Sequence, residues 1–301
     1  MIEANRQGLT RRRFLAGAAA GAGLAAAGRL MAAAEQPAPK APGWPMRLAT
    51  SSIEFKTLPI EQAAEQIAKL GFEAIDIWSA HAGCPHLDDV AKRLGAAGLK
   101  ELLAKHSLKL YSFSVYAGGY ERYAKLLGDV GGGVAVQGCG GGGKGDDLSG
   151  RMKAYMESIK PLAELAEKHD SYLAIENHGG SLLNSLDSFK AFVENNPYKR
   201  VGIALAPYHL QAGKQSVEEA IRIAGKQLLF FYAWQNAPGT RQLPGLGQTD
   251  FTPWLAELAK IDYPRYVNPF MHGEPAPAEM AAALAKSREY LLACHAKAVK
   301  E

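Results

Sequence analysis

Tyr172-Leu173-Ala174-Ile175-Glu176-Asn177-His178 decides the fold. A strand points successive side chains to opposite faces, so Leu173 and Ile175 share one face while Ala174, Glu176 and His178 share the other. Large aliphatics on one side and small or polar residues on the other describe a strand with helices behind it and an interior axis in front. The split recurs in both directions along the chain. At 74–78, Ile75 and Ile77 oppose Ala74, Asp76 and Trp78; at 201–206, Ile203 and Leu205 oppose Gly202, Ala204 and Ala206.

Working outward, strand-like runs fall at 47–52, 74–78, 109–116 and 133–137, then at 172–177, 201–206, 228–234 and 266–271. Helical periodicity lies between them at 60–70, 150–169, 185–194 and 216–224, and after the last at 278–295. Alternation of strand and helix means parallel strands joined by crossovers. Eight such units predict an α/β protein with a single (β/α)8 TIM barrel over 46–301. A doubly wound open sheet would want a glycine-rich phosphate turn after its first strand. Ser51-Ser52-Ile53-Glu54-Phe55 is not one. Glycines flank the fourth strand at 131–133 and 138–145, but Gly143-Lys144 is followed by Gly145. The phosphate-loop pattern, which ends in Gly-Lys-Ser/Thr, therefore fails, and these glycines read as an active-site or surface loop.

The first residues read as an address. Thr10-Arg11-Arg12-Arg13-Phe14-Leu15 places a twin arginine before an Ala/Gly-rich stretch, and Ala32-Ala33-Ala34 supplies a small-residue cleavage site. We expect a twin-arginine signal peptide at 1–34, a Pro/Ala-rich linker at 35–45, and a periplasmic or otherwise exported protein. Residues 1–34 hold five Arg and one Glu, so the remainder carries 29 basic and 29 acidic residues. A neutral mature chain offers no basic face for nucleic acid. Its oligomeric state is left open, a homo-oligomer included. Cys84, Cys139 and Cys294 are too few and too scattered for a disulfide framework or a thiolate zinc site.

Barrel enzymes gather their chemistry at the C-terminal ends of the strands. The fifth strand ends in Glu176 and His178, the sixth in Ala206-Pro207-Tyr208-His209, and the eighth in Met271-His272-Gly273. Glu176, His178, His209 and His272 form a convergent set whose carboxylate and imidazole donors suit Mn, Zn, Co or Ni better than calcium. His81 and His86 lie in the loop after the second strand, and one of them is expected in the pocket. Trp78, Tyr116, Tyr208 and Trp234 could stack on a sugar ring or simply pack the barrel. His106, His169 and His295 sit in or at the ends of helical patterns and read as surface or capping residues.

These motifs resemble the xylose isomerase-like TIM-barrel superfamily, which includes sugar phosphate isomerases and epimerases. The resemblance is carried by Leu58-Pro59-Ile60-Glu61-Gln62-Ala63 through Asp76, by Ile175-Glu176-Asn177-His178, and by Val201-Gly202-Ile203-Ala204-Leu205-Ala206-Pro207-Tyr208-His209. A fourth stretch is Leu243-Pro244-Gly245-Leu246-Gly247-Gln248-Thr249-Asp250-Phe251. The resemblance implies an isomerase or epimerase that uses a divalent metal to polarise a carbonyl while a carboxylate moves the neighbouring proton. Family members place Glu, Asp, His and Glu on the metal. Here Glu176 matches the first, Ala206 stands where the Asp is expected, Tyr232 stands near the His, and Phe270 or His272 near the last carboxylate.

The expected ligand set therefore becomes Glu176, His178, His209, His272 and Gln235, with Glu274 a further acidic candidate. Glu176, His209 and His272 are the expected catalytic groups. His86, Trp78, Tyr232, Trp234 and Arg241 are the expected contacts to a small carbohydrate. A lyase acting on a keto-sugar and a non-catalytic carbohydrate-binding protein are the alternatives, the first because a His in place of the second Glu could protonate a leaving hydroxyl.

Overall fold

The computed structural model describes residues 43–141 and 147–299. Eight parallel strands close into a barrel in sequence order: β1 (Arg47–Ser51), β2 (Ala74–Trp78), β3 (Lys109–Ser114), β4 (Val134–Gly138), β5 (Tyr172–Glu176), β6 (Val201–Leu205), β7 (Leu228–Ala233) and β8 (Tyr266–Pro269). Leu48 pairs with Val267 to close the ring. Every predicted strand is present, and most run a residue or two shorter at the C-terminal end. There the chain leaves the barrel to build loops.

Two cores follow from the period-two pattern. Ile75, Ile77, Leu173, Ile175, Ile203 and Leu205 face outward into the apolar layer under the helices. Ala74, Trp78, Ala174, Ala204 and Ala206 face the axis, as the pattern predicts. The interior is not lined only by small and polar residues, however. β3 and β7 send Tyr111, Phe230 and Tyr232 into it, and Tyr111 lies flat on Phe230 with ring centroids 4.6 Å apart. Small residues on β6 make that possible. A Cβ on Gly202 would strike the Gln227 carbonyl and come within 2.6 Å of the Leu229 side chain.

Two boundaries differ from the sequence reading. The single helix expected at 150–169 is two, Leu148–Ser158 and Lys160–Lys168, with Pro161 in the first turn of the second. Proline has no N–H to continue the earlier ladder. The barrel also begins before residue 46: Trp44 is buried and its indole N–H donates to the Tyr263 carbonyl at 2.6 Å. The His295 Nε2–H in turn donates to the Trp44 carbonyl, while His106 and His169 sit at helix C-termini as expected. The twin-arginine segment at 1–34 lies outside the described residues. All three cysteines are buried and free. No described helix is long and apolar enough to cross a membrane.

Candidate active site

A cavity of about 590 Å³ opens at the C-terminal ends of the strands, within the usual range for small-molecule sites. β5 delivers Glu176 to its floor. The residue is 7% exposed, and burial pushes its carboxyl up to about 7 against a smaller, opposing contribution from the Tyr116 hydroxyl. The Tyr116 hydroxyl is itself 3.1 Å from that of Tyr232. No ion pair joins Glu176 to a Lys or Arg among the described residues, so the strand end holds a carboxyl that titrates near neutrality. Asn177, the next residue, clamps the neighbouring strand: its side chain accepts from the Ala206 N–H and donates to the Ala206 carbonyl.

Three imidazoles come from two loops, after β5 and β8, and from the short helix Pro207–Ala212 after β6. His178 and His209 have ring centroids 4.0 Å apart. The Gly179 carbonyl can only accept, so His178 carries its proton on Nδ1, 2.8 Å from that oxygen, and keeps Nε2 free. Burial, with His178 and His272 nearby, lowers His209 to about 4, so it is neutral at physiological pH. His272 stands edge-on to Trp78, Trp234 and Phe270. His81 reaches the cavity as well.

Aromatic rings supply the walls. Trp78 stacks on Phe270 at 5.2 Å and Tyr208 stacks on Trp234 at 4.3 Å, with the Trp234 and Phe270 planes 85° apart. The two stacked pairs thus meet as a corner. Trp78 is fixed from below by Asp76, which accepts from its indole N–H at 2.6 Å and from the hydroxyls of Ser51, Ser112 and Ser114. The rest of the described lining includes small residues: Gly138, Gly140, Gly141, Gly179, Gly180 and Ser181. The described part of the glycine-rich loop after β4 therefore borders the cavity.

Several expected contacts lie elsewhere. His86 is the expected carbohydrate contact of the pair, but it is 1% exposed and committed to packing, and His81 is the one on the lining. Its Nε2–H donates to the Leu58 carbonyl and its Nδ1 faces the Cys84 thiol. Arg241 is exposed and off the lining; its neighbour Gln242 takes a place there instead. Gln242 accepts from the Trp234 indole and pins the backbone of His272 at both its N–H and carbonyl. Tyr232 lies beneath the floor and off the lining, 1% exposed.

Gln235 cannot serve a metal or a sugar. Its amide donates to the Leu243 carbonyl and accepts from the Thr249 N–H, bracing the loop. Gly247 packs onto that amide and onto the Arg241 carbonyl, which explains the Gly-x-Gly spacing of the loop: a Cβ there would collide with both.

A divalent metal does not fit these residues. Among the described residues no three His, Cys, Asp or Glu gather to hold one. Glu176 faces Tyr116, His209 and His272 pack against Trp234, and the positions where the family resemblance expects further ligands hold a methyl group (Ala206), a phenol already paired (Tyr232) and either a stacked ring (Phe270) or the imidazole of His272.

Sequence reasoning offered Glu274 only as a further acidic candidate, and missed both its place behind His272 and Glu54. Glu274, whose side chain is 4% exposed, lies 3.6 Å from His272 Nδ1 and 2.5 Å from Lys56 Nζ. The nearby His272 imidazole and the ion pair with Lys56 outweigh burial and hold its carboxylate down at about 2. Glu54 is fully buried, its carboxyl pushed well up by desolvation, and it accepts from the Met271 N–H at 3.0 Å. Its position just past β1, in Ser52-Ile53-Glu54-Phe55, was the available signal.

The family model described as "Xylose isomerase-like TIM barrel" matches residues 64–293. No protein of curated function matches the chain significantly by sequence. Among solved structures, 3-keto-D-glucoside 4-epimerase from E. coli superposes with a TM-score of 0.63 at 18% identity, over 81% of this chain and 100% of that one. The IolI protein with a bound zinc atom gives 0.66 at 15% identity, over 84% and 99%. The probable 3-DHS dehydratase AsbF from Bacillus anthracis gives 0.64 at 15% identity, over 79% and 97%. At these identities the likeness is one of fold.

Proposed function

We propose, from the premise that this chain belongs to the xylose isomerase-like TIM barrel family, that it is an isomerase, epimerase or lyase of sugars that moves a proton next to a carbonyl by acid–base chemistry. The observation that carries this is Glu176: a carboxyl near pH 7 in its protonation equilibrium, on the floor of a cavity that also holds His209 and His272. A catalytic acid or base works best when its pKa lies near the operating pH. Ionised Glu176 takes the proton from the carbon beside the ketone, and the electron pair of that C–H bond moves into an enediolate. Neutral Tyr116, whose own ionisation burial and Glu176 oppose, provides a hydroxyl to donate toward developing negative charge. A proton returned by a second group, His272, gives epimerisation when it reaches the same carbon from the opposite face and isomerisation when it reaches the former carbonyl carbon.

A specific observation favours elimination as the second reading. His272 is backed by Glu274 and Lys56 on the side away from Glu176's strand, an arrangement suited to protonating a leaving oxygen while Glu176 takes the carbon proton. Structural neighbours support both: a 3-keto-D-glucoside 4-epimerase and a probable 3-DHS dehydratase share the fold. No step is routed through a metal, because the donor set described above does not fit one. Export through the twin-arginine machinery to the periplasm is part of the proposal, supported by the 1–34 sequence.

The test is proton exchange. The mature protein is incubated in deuterated water with keto-sugars, and label at the carbon next to the ketone is read by NMR or mass spectrometry. Label in wild type, lost in Glu176→Gln, supports the reading. Sugar binding without exchange or elimination across the panel would leave a carbohydrate-binding protein.

A further inference from the structure

Resting on that reading of the cavity, we infer that its substrate is an uncharged sugar carrying a second ring, a neutral keto-glycoside rather than a sugar phosphate or a sugar acid. Three features of the wall point there. The first is charge. None of the described residues lining the cavity is Lys or Arg, and phosphate and carboxylate recognition is ordinarily built from such cations, above all the bidentate Arg fork. Glu176 borders the same cavity, and a carboxylate there would repel an anion placed beside it. Desolvating an anion with no paired cation is costly.

The second feature is size. A cavity of about 590 Å³ lies within the range of small-molecule sites and leaves room beyond a single hexose ring. The third is the composition of the wall, which has two unlike parts. The corner formed by Trp78–Phe270 and Tyr208–Trp234 offers apolar faces at right angles, and Glu176, His209 and His272 border the same space. The C–H faces of one pyranose ring match that corner, which puts the reacting ring there. The described lining also includes Gly138, Gly140, Gly141, Gly179 and Gly180. No described residue lies within 4 Å of a Cβ added at Gly138, Gly141 or Gly179. A lining of glycines leaves backbone amides open to hydroxyls and leaves room for the ring attached to the first.

Gly179 makes the inference testable without disturbing the fold. Its backbone is outside the left-handed range and a Cβ there meets no described residue within 4 Å. A keto-hexose, a keto-disaccharide and the keto-hexose phosphate are titrated into wild type, Gly179→Ala and Gly179→Leu, following tryptophan fluorescence, with deuterium exchange measured in parallel. We expect wild type to bind the disaccharide at least tenfold more tightly than the single-ring sugar and the phosphate no more tightly than its neutral parent. The two-ring advantage should shrink with Ala and approach unity with Leu, at unchanged melting temperature.

Tenfold preference for the phosphate overturns the inference, as does a two-ring advantage that is absent or survives Gly179→Leu. Failure of the proposed reaction looks different: the two-ring preference and its loss in Gly179→Leu persist while no sugar exchanges its proton. Conversely, exchange on the single ring with no two-ring preference leaves the reaction standing and removes the substrate class. Absence of binding to every sugar removes both.

Discussion

Glu274 presents Oε1 to Nδ1 of His272 at 3.6 Å. That is beyond a hydrogen bond, yet catalytic contacts in unliganded sites commonly tighten when substrate closes over them. The other oxygen is fixed 2.5 Å from Lys56 Nζ, so the carboxylate cannot swing away, and Gln242 holds the His272 backbone at both ends. The imidazole is thereby aimed from behind.

Replacing Glu274 by Gln should lower turnover about tenfold or more, within the range that acid–base groups contribute, while sugar affinity changes little. The same variant carries a stability signature. The folded carboxylate sits at about 2 against a usual 4.5, so its contribution is present above pH 4.5 and lost as pH falls toward 2. Wild type should therefore lose more stability than Glu274→Gln between pH 5 and pH 2, by at most about 3 kcal/mol. Equal acid sensitivity in urea melts would remove the ion pair from the account.

Glu176 has the opposite sign. Its folded value of about 7 lies above the usual 4.5, so the protonated form is favoured by folding. Stability from this group is fully present below pH 4.5 and declines as pH rises through 7. Glu176→Gln removes that loss and should be the more stable protein at pH 8, by up to about 3 kcal/mol, while exchange falls at least 100-fold. Wild-type exchange should rise with pH through about 7 if the carboxylate is the base. A variant that is less stable than wild type at pH 8 would mean that Glu176 is a structural group.

Asp76 is a positioning residue for Trp78. It accepts four hydrogen bonds below the cavity floor, and its carboxyl is raised only to about 6 because Ser51, Ser112, Ser114 and Trp78 offset its burial. Asp76→Ala leaves those donors to find other partners and should cost about 2–4 kcal/mol. Asp76→Asn keeps the volume and an acceptor for the indole. It should fold, with sugar affinity reduced severalfold and the Trp78 emission shifted. Unchanged affinity in Asp76→Asn would show that the indole needs no anchor.

The barrel was legible because its rules are local. Ile75/Ile77 against Asp76/Trp78 and Ile203/Leu205 against Ala204/Ala206 fix which face is inside, and the structure keeps that assignment at each of these positions. Glu176, His209 and His272 were legible as strand-end residues and do share one cavity. The finer points were not, because they depend on reach across loops. His81 and His86 are five residues apart, and only the fold decides that one meets the cavity while the other meets the Leu58 carbonyl. Gln235 had a ligand's chemistry, but Leu243 and Thr249, which claim its amide, are set by the path of the loop after β7. The aromatic interior followed from Gly202, whose missing side chain gives the start of β7 its place.

That close approach gives a packing prediction. Gly202→Ala puts a methyl group into the Gln227 carbonyl and the Leu229 side chain, neither of which can leave without shifting β7. Overpacking of this kind costs about 1–3 kcal/mol or more. Because β7 carries Phe230 and Tyr232 and leads into Trp234, the variant should also weaken sugar binding. A thermal melt within a degree of wild type would mean that the strands relax apart without cost.

Chelation should leave exchange intact. The resemblance to metal-dependent isomerases implies a bound ion, but ligation needs lone pairs aimed at one point, and the inherited positions, counting His272 as the alternative to Phe270, leave too few of them. Ala206 has only a methyl group, Phe270 is stacked on Trp78, and the Tyr232 hydroxyl is paired with that of Tyr116. Wild type dialysed against EDTA should keep its activity, and added Mn or Zn should not raise its melting temperature. Ala206→Asp supplies the contrast. An unpaired carboxylate placed in that buried position, 0% exposed, should destabilise the protein by several kcal/mol. With Glu176 and His209 close to hand, millimolar Zn or Mn should recover part of that loss through binding to the folded state. Loss of wild-type activity on chelation, restored by a stoichiometric ion, would show instead that Glu176 and the imidazoles move together around a metal, and the acid–base account would give way to a Lewis-acid one.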